Sequence, residues 1–151
     1  MANTQAICSS FKSEALTGIH ALGVTVIRAA TTVDTVKAAL YLATATVNAA
    51  TTVYSATGEV TGTNYAAGGV TVTNANTPSL AGTTAIWTPS ASIVYTTITL
   101  ATAFDCVFIY NSTQSNRAIS VHTFGAQTVT AGTFTLTMPT NDATNALLRI
   151  A

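Results

Sequence analysis

Short runs rich in β-branched and aromatic residues recur about every ten residues from position 24 onward, with Asn, Gly and Pro between them. Each run has the length of a strand, and no helix-length segment separates two neighbouring runs. A parallel sheet needs long, usually helical crossovers, so this spacing favours antiparallel pairing. The sequence therefore predicts a mainly β protein, with an antiparallel β-sandwich or a jelly-roll or barrel-like domain. The predicted strands cover residues 24–28, 36–42, 70–74, 84–88, 93–100, 106–110, 118–123, 133–138 and 146–150.

Alternate positions within these runs indicate which side chains share a face of the sheet. The rows of apolar residues predicted in this way are Val36, Ala38, Leu40 and Leu42; Cys106, Phe108 and Tyr110; and Phe134, Leu136 and Met138.

A helical pattern occupies residues 5–22, where Ile7, Phe11, Ala15 and Ile19 follow at a spacing of four. The pattern predicts a short N-terminal helix that ends near a glycine at position 18 or 23. The expected organisation is an N-terminal helix or arm over residues 1–22 and a single β-sandwich domain over 23–151. Because the apolar face of the helix needs a surface to pack on, the segment is a candidate arm that reaches a neighbouring subunit.

Charge is scarce in this chain, and its scarcity limits the possible functions. Five acidic and five basic residues balance to zero, and about one residue in five is threonine. Threonine suits an exposed strand position, because its branched carbon fits the pleat and its hydroxyl stays in water. A soluble monomer normally carries a mixed charged surface, so this composition indicates a surface covered by other subunits. We therefore expect a structural building block and no enzyme.

The same composition argues against several binding partners. A nucleic-acid-binding protein shows a basic patch, which this chain lacks, so no direct nucleic-acid contact is expected. No apolar run is long enough to span a bilayer and no secretory signal is recognised, so we expect no membrane association and synthesis in the cytoplasm. The aromatic residues are few for a carbohydrate-binding platform, and we expect Trp87 and most tyrosines to pack in the core or in interfaces. A carbohydrate-binding β-sandwich is the alternative from a different class.

The residues that could carry chemistry form no known catalytic or metal-binding motif. The two imidazoles, His20 and His122, have no carboxylate at a recognised spacing, and no nucleophile-elbow motif occurs. A metal site needs three or four converging ligands. The sequence thus predicts no catalytic, cofactor-binding or metal-binding residues and no cofactor. The five carboxylates of the chain are Glu14, Asp34, Glu59, Asp105 and Asp142. Among them, we expect Asp105 to anchor a turn.

The two cysteines, Cys8 and Cys106, are too far apart in sequence and too few for a disulfide framework. We expect both to be reduced, buried thiols. A Cys106–His122 dyad on neighbouring strands is the alternative, and a buried Cys106 beside a hydrogen-bonded strand residue His122 is the favoured interpretation.

A glycine-rich segment at residues 58–70, GEVTGTNYAAGGV, has neither the Lys-Ser/Thr ending of a P-loop nor the glycine order of a dinucleotide fold. Its glycines predict backbone angles that other residues tolerate poorly. We interpret the segment structurally. Glu59 is expected to accept hydrogen bonds from loop amides, while Tyr65 anchors the loop to the barrel.

One constellation spans nearly the whole chain and resembles a known family, with the segment at 58–70 as its most specific part. Its other parts are residues 10–14 (SFKSE), 37–41 (KAALY), Trp87, 103–111 (AFDCVFIYN), 124–125 (FG), and 132–136 (GTFTL) with Pro139. This order is similar to small virion structural proteins of tailed bacteriophages. The chain is poorer in charge and richer in Thr and Ala than that pattern.

The resemblance implies a β-rich virion component without catalytic residues. The favoured role is capsid decoration, in which a cement protein on the capsid exterior binds between major capsid protein subunits. Neck, tail or fibre attachment remains open. Closed symmetry at a local three-fold axis of a capsid favours a homotrimer.

Overall fold

Two antiparallel sheets and one short helix make up the described part of the chain, residues 2–16, 18–23 and 33–151 of a computed structural model. The predicted fold class, mainly β and sandwich-like with a short N-terminal helix, is confirmed. In chain order the elements are β1 (Ala6–Ile7), α1 (Ser9–Leu16), β2 (Val36–Leu42), β3 (Val70–Thr71), β4 (Ser79–Ala81), β5 (Thr84–Trp87), β6 (Ile93–Asn111), β7 (Arg117–Leu136) and β8 (Leu148–Ile150).

The larger sheet has the order β1-β7-β6-β2-β3, and its centre is buried on both faces. Adjacent residues of β2, Ala38 and Ala39, point to opposite faces and are both fully buried. In β6, Val107 and Ile109 are as buried as the predicted row of Cys106, Phe108 and Tyr110. The prediction of a single inward face was therefore incomplete, because the rest of the chain packs against both sides of this sheet.

The long strands β6 and β7 form one ribbon that replaces four predicted strands, at residues 93–100, 106–110, 118–123 and 133–138. The pairing register shifts at several points between Tyr95 and Cys106. Bulges of this kind bend a strand and increase its twist.

The bend is sharp enough to bring the distal end of the ribbon against its middle. Phe104 pairs with Gln127, and Phe134 pairs with Tyr95. A straight strand would place Phe134 about 23 Å along from Gln127. The rings of Phe104 and Phe134 nevertheless lie 5.0 Å apart in an edge-to-face arrangement. The ribbon thus folds back over itself, and its distal half covers one face of the sheet that its proximal half helps to build.

The N-terminal helix is shorter than predicted, and the segment that contains it packs against its own chain. The helix covers Ser9–Leu16, and Ile7 lies in a strand opposite Ser120 of β7. Gly18, with φ +69°, follows the helix, so the predicted glycine stop is confirmed. Cys8 and Phe11 are buried in the core. The apolar residues of this segment therefore have a packing surface within the same subunit.

The other strand predictions have mixed outcomes. The prediction for 36–42 matches β2, and 84–88 and 146–150 contain β5 and β8. The prediction at 70–74 shrinks to β3, and β4 was not predicted. The predicted strand at 24–28 lies outside the described residues. Within residues 2–16, 18–23 and 33–151, no helix has the length and hydropathy of a membrane span.

Candidate functional site

Buried carboxylates organise the loops of this protein, and the most elaborate cluster surrounds Glu59. Oε1 of Glu59 accepts hydrogen bonds from the Tyr65 hydroxyl at 2.8 Å and from the Gly68 amide at 2.7 Å. Oε2 accepts a hydrogen bond from the Tyr54 hydroxyl at 2.6 Å. Only 6% of Glu59 is exposed. The interpretation of Glu59 as an acceptor for loop amides, with Tyr65 anchoring the loop, is confirmed.

The five tyrosines of the chain all belong to this region, which we call the tyrosine cluster: Tyr41, Tyr54, Tyr65, Tyr95 and Tyr110. Tyr65 and Tyr110 also tie the loop to the sheet, and Tyr95 ties the distal half of β6 to β2. The Leu40 amide donates to the Tyr65 hydroxyl at 2.9 Å, and the Tyr95 hydroxyl donates to the Ala38 carbonyl at 2.8 Å. The Tyr110 hydroxyl donates to the Gly68 carbonyl at 2.8 Å.

The protonation of the tyrosine cluster follows from its burial. Burial is the main cause that raises the pKa of Tyr95 and Tyr110, and the negative charge of Glu59 raises both further. The pKa of Tyr65 is raised mainly by burial as well. These phenols therefore stay protonated at neutral pH and act as hydrogen-bond donors to Glu59 and to main-chain carbonyls. The cluster is suited to holding the 58–70 loop in one conformation.

A second cluster joins the N-terminal segment to the turn between β6 and β7. Glu14 accepts hydrogen bonds from His20 Nε2 at 2.8 Å and from Arg117 Nη1 at 2.5 Å. His20 Nδ1 lies 3.1 Å from the side-chain nitrogen of Asn111. Asn111 in turn donates to Asp34 Oδ2 at 2.8 Å. This network connects three segments that are far apart in sequence.

Asp105 does not anchor a turn, and that prediction was wrong. It lies within β6, at a register shift, and accepts a hydrogen bond from Asn3 Nδ2 at 2.5 Å. Asn3 also accepts a hydrogen bond from the Val47 amide at 2.9 Å, so Asp105 holds the N-terminal segment against the sheet. Asp142 is the carboxylate that organises a turn, because its Oδ1 accepts hydrogen bonds from the amides of Thr144 and Asn145.

The Cys106–His122 dyad is not formed. Cys106 pairs with Thr123 and Val107 pairs with His122, so Cys106 and His122 point to opposite faces of the sheet. Burial raises the pKa of the Cys106 thiol to about 12, so the thiol stays protonated at neutral pH. His122 instead contacts the Ser120 hydroxyl through Nε2 at 2.9 Å. The favoured interpretation of a buried thiol beside a hydrogen-bonded histidine is confirmed.

Cys8 shares the character of Cys106. It is fully buried and free, and burial raises its pKa to about 11. Within the described residues, no three His, Cys, Asp or Glu side chains converge as a metal site would require.

An open apolar groove of about 360 Å³ runs between the N-terminal segment and the smaller sheet, β4-β5-β8. Phe11, Ile86, Trp87 and Leu148 contribute to its walls. His20 also lines the groove, but both of its ring nitrogens already make hydrogen bonds, one with Glu14 and one with Asn111. Trp87 is buried, as predicted, and its indole nitrogen donates to the Asn76 carbonyl at 3.0 Å.

The half-buried imidazole of His122 predicts a loss of stability in mild acid. Burial lowers the pKa of His122 from 6.5 to about 4, so the unfolded chain binds more protons than the folded chain between these values. The free energy of unfolding should therefore fall as the pH falls from 6.5 to 4, with a contribution of up to about 3 kcal/mol from this residue. Urea unfolding at several pH values measures the slope.

The variant His122→Gln isolates this effect, because glutamine can still bond Ser120 and cannot titrate. The pKa of His20 is also lowered, mainly by burial, and its contribution has the same sign in both proteins. We expect a shallower pH dependence in the variant. Equal slopes in the two proteins would contradict the burial of a neutral imidazole at position 122.

Comparisons with protein-family models, with curated proteins and with solved structures found no match to this chain.

Proposed function

We propose that this chain is a virion structural protein of a tailed bacteriophage, and that it serves as a capsid decoration protein. In this role a homotrimer, made in the host cytoplasm, binds on the capsid exterior between major capsid protein subunits and stabilises the head. The resemblance of the 58–70 segment and its companion blocks to phage virion proteins gives the proposal its direction.

The observation that carries the proposal is an outer surface that is poor in charge. Charged residues are 7% of the chain, and three of the five carboxylates, Glu14, Asp34 and Glu59, are buried. Along the distal half of β7, threonines 128, 130, 133 and 135 are exposed. A surface of this kind gives little colloidal protection to a free monomer, and it suits permanent contacts with other subunits.

The proposal assigns no catalytic role to the chain. In support, all five carboxylates accept hydrogen bonds from other groups of the chain: Glu14, Asp34, Glu59, Asp105 and Asp142. The two thiols are buried and protonated at neutral pH.

Counting copies in purified virions of the phage that encodes the chain tests the proposal. Quantitative mass spectrometry against an isotope-labelled copy of this protein gives the number per particle, with the major capsid protein as the internal reference. A decoration protein should be present in hundreds of copies, in fixed ratio to the capsid protein. A few copies to some dozens would instead favour the neck, tail or fibre role. Absence from the virion would overturn both.

A further inference from the structure

The outer edge of β7 changes from covered to open along its length. At its start the edge is occupied, because the Ala118 amide donates to the Thr52 carbonyl and β1 pairs with Ser120 and Val121. Beyond Val121 the strand continues to Leu136, paired with β6 on one side. On the other side of residues 124–136, the described part of the chain supplies no strand.

This open edge is long and lacks charged side chains and proline, two of the usual protections of an exposed edge; a third protection, the β-bulge, is present at its register shifts with β6. At about 3.3 Å per residue, residues 124–136 measure about 40 Å along the strand, although the bend of the ribbon shortens the distance between their ends. Their sequence, FGAQTVTAGTFTL, contains no charged residue and no proline. Natural proteins guard exposed edges with lysine, proline or short strands, since unpaired amides and carbonyls otherwise recruit another chain.

We propose that residues 124–136 of β7 form the self-association edge, which pairs through main-chain hydrogen bonds with a strand of a second copy of this chain. A second copy is the partner that is always present when the chain folds, and an edge without charge or proline is best covered at that stage to avoid aggregation. A partner that recognises charge finds no complementary group on this edge. The inference rests on the self-association part of the proposed function, and it names the surface that performs it.

A pair of lysine substitutions on the edge tests the inference. Thr133 and Thr135 are exposed on β7, and lysine is a residue with which natural edge strands prevent pairing with another chain. The matched control is Thr57→Lys with Thr61→Lys, which adds the same charge at exposed positions in the loop between β2 and β3. Light scattering after size exclusion should give three times the 15.4 kDa chain mass for the wild type and for the control. The edge variant should fall to the mass of one chain, and an unchanged mass would overturn the inference.

Amide exchange in the wild-type protein provides a second measurement that does not depend on a variant folding. In an open edge strand, every second amide points to solvent and exchanges rapidly. Pairing with a second copy should protect consecutive amides throughout residues 124–136. Rapid exchange at alternate positions in the free protein would overturn the inference.

These outcomes separate the inference from the proposed function. A wild-type monomer whose edge amides become protected only on the capsid would overturn self-pairing and leave capsid decoration standing. If the protein is an oligomer with a protected edge but is absent from virions, self-pairing stands and capsid decoration is overturned.

Discussion

Replacing Gly69 with alanine should abolish the native fold or lower the free energy of unfolding by more than about 4 kcal/mol. A β-carbon at position 69 would lie 1.7 Å from the carbonyl oxygen of Ala38 and 2.7 Å from the α-carbon of Ala39. These neighbours are main-chain atoms of β2, a strand buried in the core, so they cannot move aside cheaply. The φ angle of +69° adds strain for any residue with a β-carbon. Soluble yield and urea unfolding, followed by Trp87 fluorescence, measure the loss.

Gly82→Ala is the matched control for this substitution. Gly82 has φ +65°, close to that of Gly69, but a β-carbon there would meet no atom within 4 Å. The free energy of unfolding of the control should fall only by the cost of a left-handed backbone conformation, about 1–2 kcal/mol. The difference between the two variants then measures the close approach of Gly69 to β2. Equal losses would mean that this approach does not exist in solution.

Replacing Glu59 with glutamine should lower the free energy of unfolding by about 2–3 kcal/mol. The carboxylate accepts three hydrogen bonds, and glutamine can offer an oxygen at only one of the two positions. The amide nitrogen would face either Tyr54 or the pair formed by Tyr65 and Gly68. The remaining bonds would also lose the strength that a charged acceptor provides. Thermal and urea unfolding check the result.

Two further variants make this prediction specific. Asp142→Asn changes a carboxylate that also accepts several hydrogen bonds, but in an exposed turn, and we expect a clearly smaller loss. Tyr65→Phe combined with Glu59→Gln should destabilise less than the sum of the single changes, because the two residues share one hydrogen bond. Unchanged stability of Glu59→Gln would remove the cluster's structural role.

The features of this protein that depend on local information could be predicted from its sequence. The alternation and β-branched content of 36–42 gave the bounds of β2, since a strand's side-chain period is visible in the sequence. The glycines around Glu59 indicated a tight loop, and a buried acid in such a loop needs donors nearby. The apolar surroundings of Cys106 likewise indicated a buried thiol.

The features that depend on strand register or on contacts between distant residues could not be predicted from the sequence. The Cys106–His122 dyad required the two residues to share a face, and a one-residue difference in pairing places them on opposite faces. Asp105 and Asn3 meet across most of the chain, and no local signal connects them. Four predicted strands became one ribbon because β6 and β7 stay paired through residues 101–105 and 124–132. Bulges accommodate the broken alternation of apolar and polar residues in these stretches.

The amino-acid sequence by itself determined that the chain is built of antiparallel strands, that it has few carboxylates and that threonine covers much of its surface. The tertiary structure alone decided that the β6–β7 ribbon folds back on itself, that the tyrosines gather around Glu59 and that no strand of the described residues pairs with the distal edge of β7. The physical reason is the distance along the chain over which each effect acts. Strand propensity and side-chain alternation act between neighbours, whereas register, ribbon bending and edge exposure are set by contacts between residues far apart in the chain.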